Sequence, residues 1–175
     1  MHIADKMLVG ISALTLMVGT SAAQSQTAYR TTTPDNKFIT EAAQGGMAEV
    51  QLGHLAVQHA SNDKVKQFGQ RMVDDHSKAN EELKQVASKK GVTLPTSVDA
   101  KDQATIDRLS KLNGADFDRA YMNDMVKDHR KDVGEFKKEA SSGSDPDVKA
   151  FASKTLPTLE EHLKMAQSTD SQVKK

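Results

Sequence analysis

Apolar residues return at helical spacing along most of this chain. Between about Lys37 and Ala60, residues Phe38, Ile39, Ala42, Ala43, Gly46, Val50, Gly53, Ala56 and Val57 fall on one face at about 100° per residue. A second stripe, Val65, Phe68, Met72, Ala79, Leu83 and Val86, predicts a helix from about Lys64 to Lys89, with Gly91 suited to its left-handed C-terminal cap. A third, Phe117, Tyr121, Met125, Val133 and Phe136, predicts a helix over Ala115–Ala140. The fourth starts at Pro146, a favoured first helical residue after the capping Asp145, and runs to about Gln167 with a kink expected near Pro157.

The connections predict how these helices are joined. "SND" and "SSGSDPD" are short turns, so each joins antiparallel neighbours, whereas "VTLPTSVDAKDQATIDRLSKLNG" is too long for that purpose and holds a short helix near Lys101–Leu112. It can carry the chain back along the bundle and set the second and third long helices parallel. The predicted fold is therefore all-α: a ferritin-like four-helix bundle over residues 36–168, with a long crossover containing a short helix. The glycines and alanines of the first helix would let a partner approach closely.

The ends read differently. Residues 1–23 carry Lys6, an apolar run from Met7 to Val18 and the small residues Ser21-Ala22-Ala23, the pattern of a cleaved secretory signal. A run of about 12 apolar residues is short of the ~20 that span a bilayer, and no long apolar stretch follows, so no transmembrane segment is expected after signal removal. Residues 24–35 read as a flexible leader and 169–175 as a disordered tail. Lysine plus arginine number 24, aspartate plus glutamate also 24, and there is no basic run, which argues against nucleic acid as a partner. With 0 cysteines, neither a disulfide nor a lipidated cysteine is available, so the exported chain relies on its core or on a ligand. The expected location is the bacterial periplasm, with outer-membrane association as an added possibility.

The candidate chemistry is histidine. "MVDDHSKANEELKQVAS" and "MVKDHRKDVGEFKKEAS" echo each other, and each sets a histidine four residues after a methionine. His76 and His129 lie within about 20° of the centre of their apolar stripes, His162 about 40° off its own and Glu49 about 40–50° off. Counted from the turns, Glu49 and His76 differ in height by only ~3 Å, while His162 falls ~6 Å out of level. Buried polar groups need partners, since an unsatisfied one costs ~1–3 kcal/mol. One resolution is a hydrogen-bonded Glu–His network plugging the bundle. The other is a transition-metal ion held by Glu49, His76, His129 and His162, with Asp132 as a supporting or additional ligand. The pairs Met72/His76, Met125/His129 and His162/Met165 add a soft, copper(I)-like variant of the second. Asp75 and Asp128, diverging from the adjacent histidines, read as the solvated rim of the stripe. No Gly-rich phosphate loop and no nucleophile motif appears, so no enzyme and no organic cofactor is expected. The leading reading is a non-enzymatic periplasmic bundle acting on an unidentified envelope protein or by self-association. The competing one is a metal-binding bundle.

"GGMAEVQLGHLA", "FGQRMVDDHSKANEEL", "FDRAYMNDMVKDHRKDVGEF" and "FASKTLPTLEEHLKMA" together resemble a large bacterial family of exported proteins of unknown function, whose members are often labelled "predicted outer membrane protein" and grouped with ferritin-like bundles. The resemblance spans Phe38–Ala166 and implies the crossover bundle and an envelope location, but no activity. Di-iron ferritin-like proteins carry Glu-x-x-His on two helices; here the residues three before His76, His129 and His162 are Val73, Val126 and Leu159. A carboxylate-bridged di-iron centre is not expected.

Overall fold

The computed structural model describes residues 33–174. The expected signal segment, residues 1–23, and nearly all of the expected leader lie outside the described residues. Five helices order the remainder: α1 (Pro34–His59), α2 (Asp63–Lys90), α3 (Ala100–Leu109), α4 (Gly114–Ser142) and α5 (Pro146–Val173), with no strand among the described residues.

Two boundaries differ from the sequence reading. Helix α1 begins at Pro34 rather than at about Lys37, because Thr33 is the N-cap and its hydroxyl accepts from the Asn36 amide at 3.1 Å. Helix α5 continues to Val173, so most of the expected tail is helical. The apolar spacing does not stop at Ala166: Thr169 is buried and Val173 packs on the same core. Other signals act as read. Asn62 and Asp145 cap α2 and α5, and Gly91 ends α2 at φ 62°. At Pro157, where a kink is expected, α5 runs on as one α-helix.

Two apolar clusters fill the bundle. One joins Leu52 and Ala56 near the end of α1, Phe68 and Met72 near the start of α2, Phe117, Tyr121 and Met125 of early α4, and Ala166 of late α5. The other joins the opposite ends: Phe38 and Ile39, Leu83 and Ala87, Phe136, and Val148 and Phe151. Helices α2 and α4 thus run in one direction and α1 and α5 in the other. The chain returns through α3, which lies against α1 and α4. This is the predicted pair of hairpins joined by a crossover.

Buried aspartates pin each hairpin turn to a helix that the turn does not belong to. Asp118 of α4 accepts from the amides of Ser61 and Asn62 at 3.1 and 3.0 Å and from the Ser61 hydroxyl at 2.5 Å. At the other end Asp35 of α1 accepts from the amides of Ser144 and Asp145 at 3.2 and 2.7 Å. Charge-assisted bonds of this kind satisfy otherwise orphaned turn amides, and they set the relative heights of the four helices. Within the first hairpin, Gly53 and Gly69 face each other so closely that a Cβ on Gly53 would meet the Gly69 carbonyl oxygen at 2.6 Å. No helix among the described residues is long and apolar enough to cross a membrane.

Candidate metal centre

Between the two apolar clusters lies a polar layer. His76 follows Met72 and precedes Leu83 on α2, His129 sits between Met125 and Phe136 on α4, and His162 sits between Leu159 and Ala166 on α5. Their relative exposures are 7%, 0% and 1%, so all three imidazoles are inside the bundle. Each offers one ring nitrogen to a set lying within 4.8 Å of one another. Ring centroids are separated by 5.9 Å for His76–His129, 5.4 Å for His76–His162 and 5.3 Å for His129–His162.

Two of the three tautomers are dictated by the surroundings. Nδ1 of His129 is 3.0 Å from the Met125 carbonyl oxygen, which can only accept, so Nδ1 carries the proton and Nε2 keeps its lone pair. Nε2 of His162 is 2.8 Å from Asp75 Oδ2, so here Nε2–H donates to the carboxylate and Nδ1 keeps the lone pair. Those two lone-pair nitrogens, together with Nε2 of His76, are buried without a protein hydrogen-bond partner. Asp75 is held in turn by Arg71, which also approaches Glu161 at 3.6 Å.

Electrostatics keep the rings neutral. Burial, then the neighbouring His129 and His162, bring His76 down to about 3. Burial and His162 bring His129 to about 4, against a smaller opposing pull from the Met125 carbonyl. Burial also lowers His162, opposed by its hydrogen bond to Asp75. For Asp75 burial works upward, but the hydrogen bonds from Arg71 and His162 outweigh it and leave the carboxyl below its usual range. At neutral pH the layer is three uncharged imidazoles, the protonation state in which histidine binds metal.

Such a set matches a metal site in donor type and in support. Ligating histidines commonly donate their other ring N–H to a carboxylate or a backbone carbonyl, which is what Asp75 and Met125 accept here. An ion ~2.0–2.1 Å from each nitrogen would space them about 3.4 Å apart, a movement of less than about 1 Å per nitrogen from an edge of 4.8 Å.

A family model described as "Domain of unknown function (DUF4142)" matches residues 20–169. The chain belongs to this family. No curated protein matches it. Among solved structures, a DUF305 fragment from Deinococcus radiodurans superposes with a TM-score of 0.70 at 12% identity, covering 79% of this chain and 96% of that one. A DUF305 protein from Streptomyces coelicolor, provisionally described as secreted, gives 0.67 at 13% identity over 80% and 92%. These likenesses establish the fold alone.

Of the four residues expected to converge, this DUF4142 chain brings three together. His162, expected out of level, joins the set. Glu49 stands outside it: Oε1 lies 3.8 Å from Nδ1 of His129, the nitrogen already turned to Met125 and not the one left bare. Its surroundings are also wrong for an ionised ligand, since burial and then the charges of Asp132, Asp128 and Asp102 hold its carboxyl well above the usual range. A closed Glu–His hydrogen-bond network is not formed either, as Glu49 Oε2 and the three ring nitrogens have no protein partner. The soft-ligand variant loses its third pair because Met165 is exposed at 37%. Asp75, read as solvated rim, is the group that orients His162. No signal within one helix announces it, because the partner belongs to α5. Of the remaining helical histidines, His59 bonds the Leu112 carbonyl at 2.9 Å and His54 is exposed.

Proposed function

We propose that this protein is an exported metal-binding bundle in which His76, His129 and His162 hold one divalent first-row transition-metal ion. The observation that carries the reading is the meeting of three neutral, buried imidazoles from three helices, each offering one ring nitrogen to a set within 4.8 Å, with two of the rings oriented by Asp75 and Met125. Three imidazoles suit zinc or copper(II) and leave a fourth position for water or another small ligand. The cost of burying three polar rings inside an apolar core is understandable if an ion offsets it, since a metal compensates groups that no protein donor or acceptor satisfies.

The protein acts by holding the ion rather than by turnover; the lack of a nucleophile motif in the sequence supports that part. Export is supported by the signal-like residues 1–23, and the envelope is where an exported chain without cysteine would need another source of stability. The alternative, an interaction protein with no ion, has no comparable feature behind it. The large apolar side chains left exposed among the described residues are Val57 and Met165, which lie on different helices and form no docking face that the contacts reveal.

The test is stoichiometry. Protein stripped with chelator is dialysed against zinc or copper(II) and analysed for bound metal. One ion per chain, lost in His76→Ala, His129→Ala and His162→Ala while helical content persists, is the expected result. No tight binding, or binding indifferent to all three substitutions, would overturn the proposal.

A further inference from the structure

Two cavities reach His76; both also touch Ala79, Thr155 and Leu159, but the rest of their linings differ in a way that bears on how an ion gets in. The smaller, about 120 Å³, lies between α2 and α5 and touches His76 and His162. Its carboxylates are already engaged: Asp75 by Arg71 and His162, Glu82 by Lys154 at 2.8 Å. Lys78 and Lys154 line the same opening, so a cation approaching there meets positive charge and satisfied acids.

The larger cavity, about 260 Å³, lies toward the crossover. Its charged lining is five acids, Glu41, Asp99, Asp102, Asp132 and Glu135, against two lysines, Lys101 and Lys131, so it is net negative, whereas the two acids and two lysines of the smaller opening cancel. At its inner end stands His76, only 7% exposed and with Nε2 lacking a partner. Space is kept open beside it by Gly46, where a Cβ would fall 2.0 Å from Asn80 Oδ1. Glu135 pairs with Lys131 at 3.4 Å, but neither Asp102 nor Asp132 makes an ion pair among the described residues. Two uncommitted carboxylates therefore stand along a passage that ends on an unpartnered buried nitrogen. Burial also raises the Asp132 carboxyl, to about 7, as expected for an acid facing other acids in a confined space.

We propose that divalent metal ions reach the histidine triad through this crossover-side cavity, with Asp102 and Asp132 as transient oxygen contacts that concentrate and pass on the cation. This inference rests on the triad being the metal site. A cleft whose acids outnumber its lysines attracts cations, and focused charge of this kind raises association rates by about 10–1,000-fold at low ionic strength; imidazole nitrogens then hold a borderline ion more tightly than the oxygen contacts do. The crossover thus has a role beyond connecting two hairpins: it supplies one wall of the inlet.

The experiment is the rate of loading of the stripped full-length protein with zinc or cobalt(II) alone, followed by stopped flow at low and high salt. Asp102→Asn combined with Asp132→Asn is expected to load at least about tenfold more slowly at low salt, to lose most of that difference at high salt, and still to bind one ion at equilibrium. Glu82→Gln, on the other opening, is expected to load at the wild-type rate. Wild-type loading by the double variant would overturn the route while leaving the triad standing. A reduced metal content in that variant would make an aspartate a permanent ligand and would also overturn it. Failure of the wild type to bind metal through its histidines would instead sink the site itself. Unchanged far-ultraviolet circular dichroism guards against a folding artefact.

Discussion

Asp75 on α2 accepts the Nε2 proton of His162 on α5 at 2.8 Å, and by doing so decides which nitrogen of that ring is left for the other two histidines. The same carboxylate is fixed by Arg71, so orientation passes from an exposed ion pair through a half-buried acid to a fully buried imidazole. Removing the acid should leave the ligand present but badly oriented. Asp75→Ala is expected to weaken metal affinity about 10–100-fold while keeping one ion per chain. Competition against a chromophoric chelator measures this; wild-type affinity in the variant would show that Asp75 does not support the site.

The second prediction separates stability from function. In the stripped protein the three bare nitrogens are a liability, because a buried polar group without a partner costs ~1–3 kcal/mol. His129→Leu keeps roughly the volume and removes one such group. In chelator it should unfold no earlier than the stripped wild type. With metal at about 100-fold over its dissociation constant the wild type should gain ~2.7 kcal/mol, or several degrees in Tm, and the variant should gain nothing. Thermal denaturation with and without metal reads both. Equal responses to metal would count against His129 as a ligand.

How far the centre is legible in the residues follows from what one helix can reveal. His76 and His129 stand near the centres of their own stripes, so each is recognisable from a single segment. His162 falls ~6 Å out of level when heights are counted along helix axes, yet its ring centroid is 5.3 Å from that of His129. Side chains on a helix lean toward its N-terminus. In the antiparallel pair α4 and α5 that lean carries His162 back toward the shared turn and His129 away from it, closing the gap. Asp75 is illegible for a related reason. Adjacent residues diverge by about 100° around a helix, so the position that keeps Asp75 from touching His76 is what lets it reach α5. Glu49 shows the converse limit: a correct inward face and height, but the wrong side of His129.

The pH dependence of the stripped protein has a definite sign. His76 and His129 titrate at about 3 and about 4 in the fold against an ordinary value of 6.5. Their contribution is complete above pH 6.5 and is lost as pH falls toward those values, because the unfolded chain takes up protons that the fold refuses. Glu49 and Asp132 act oppositely. Their folded values lie above 4.5 and 3.8, that of Asp132 at about 7, so their contribution is complete at low pH and is lost as pH rises. The two kinds of group therefore oppose each other at mildly acidic pH, and the Asp132 carboxyl continues to change above 6.5. Glu49→Gln cannot ionise, so its stability relative to wild type should rise as pH climbs above the ordinary carboxyl value of 4.5. Urea denaturation in chelator checks it; a difference that is flat with pH would mean that Glu49 is not held neutral.

Close packing of the first hairpin gives a contrast between glycines. A Cβ at Gly69 would lie 2.5 Å from Ala56 Cβ and 2.8 Å from the Gly53 carbonyl oxygen, whereas at Gly134 nothing lies within 4 Å. Gly69→Ala should therefore cost ~1–3 kcal/mol by forcing α1 and α2 apart. Gly134→Ala, in the middle of α4, should instead gain ~0.5–1 kcal/mol. Denaturant midpoints of the two variants settle the comparison, and equal effects would contradict the close approach of α1 to α2.

The most direct test of the central claim is a crystal of the protein grown with zinc, with anomalous data collected across the absorption edge. One peak is expected inside the bundle, ~2.0–2.1 Å from Nε2 of His76, Nε2 of His129 and Nδ1 of His162, with His162 still bonded to Asp75. Density confined to surface carboxylates, with the three imidazoles unmoved and no ion between them, would contradict it.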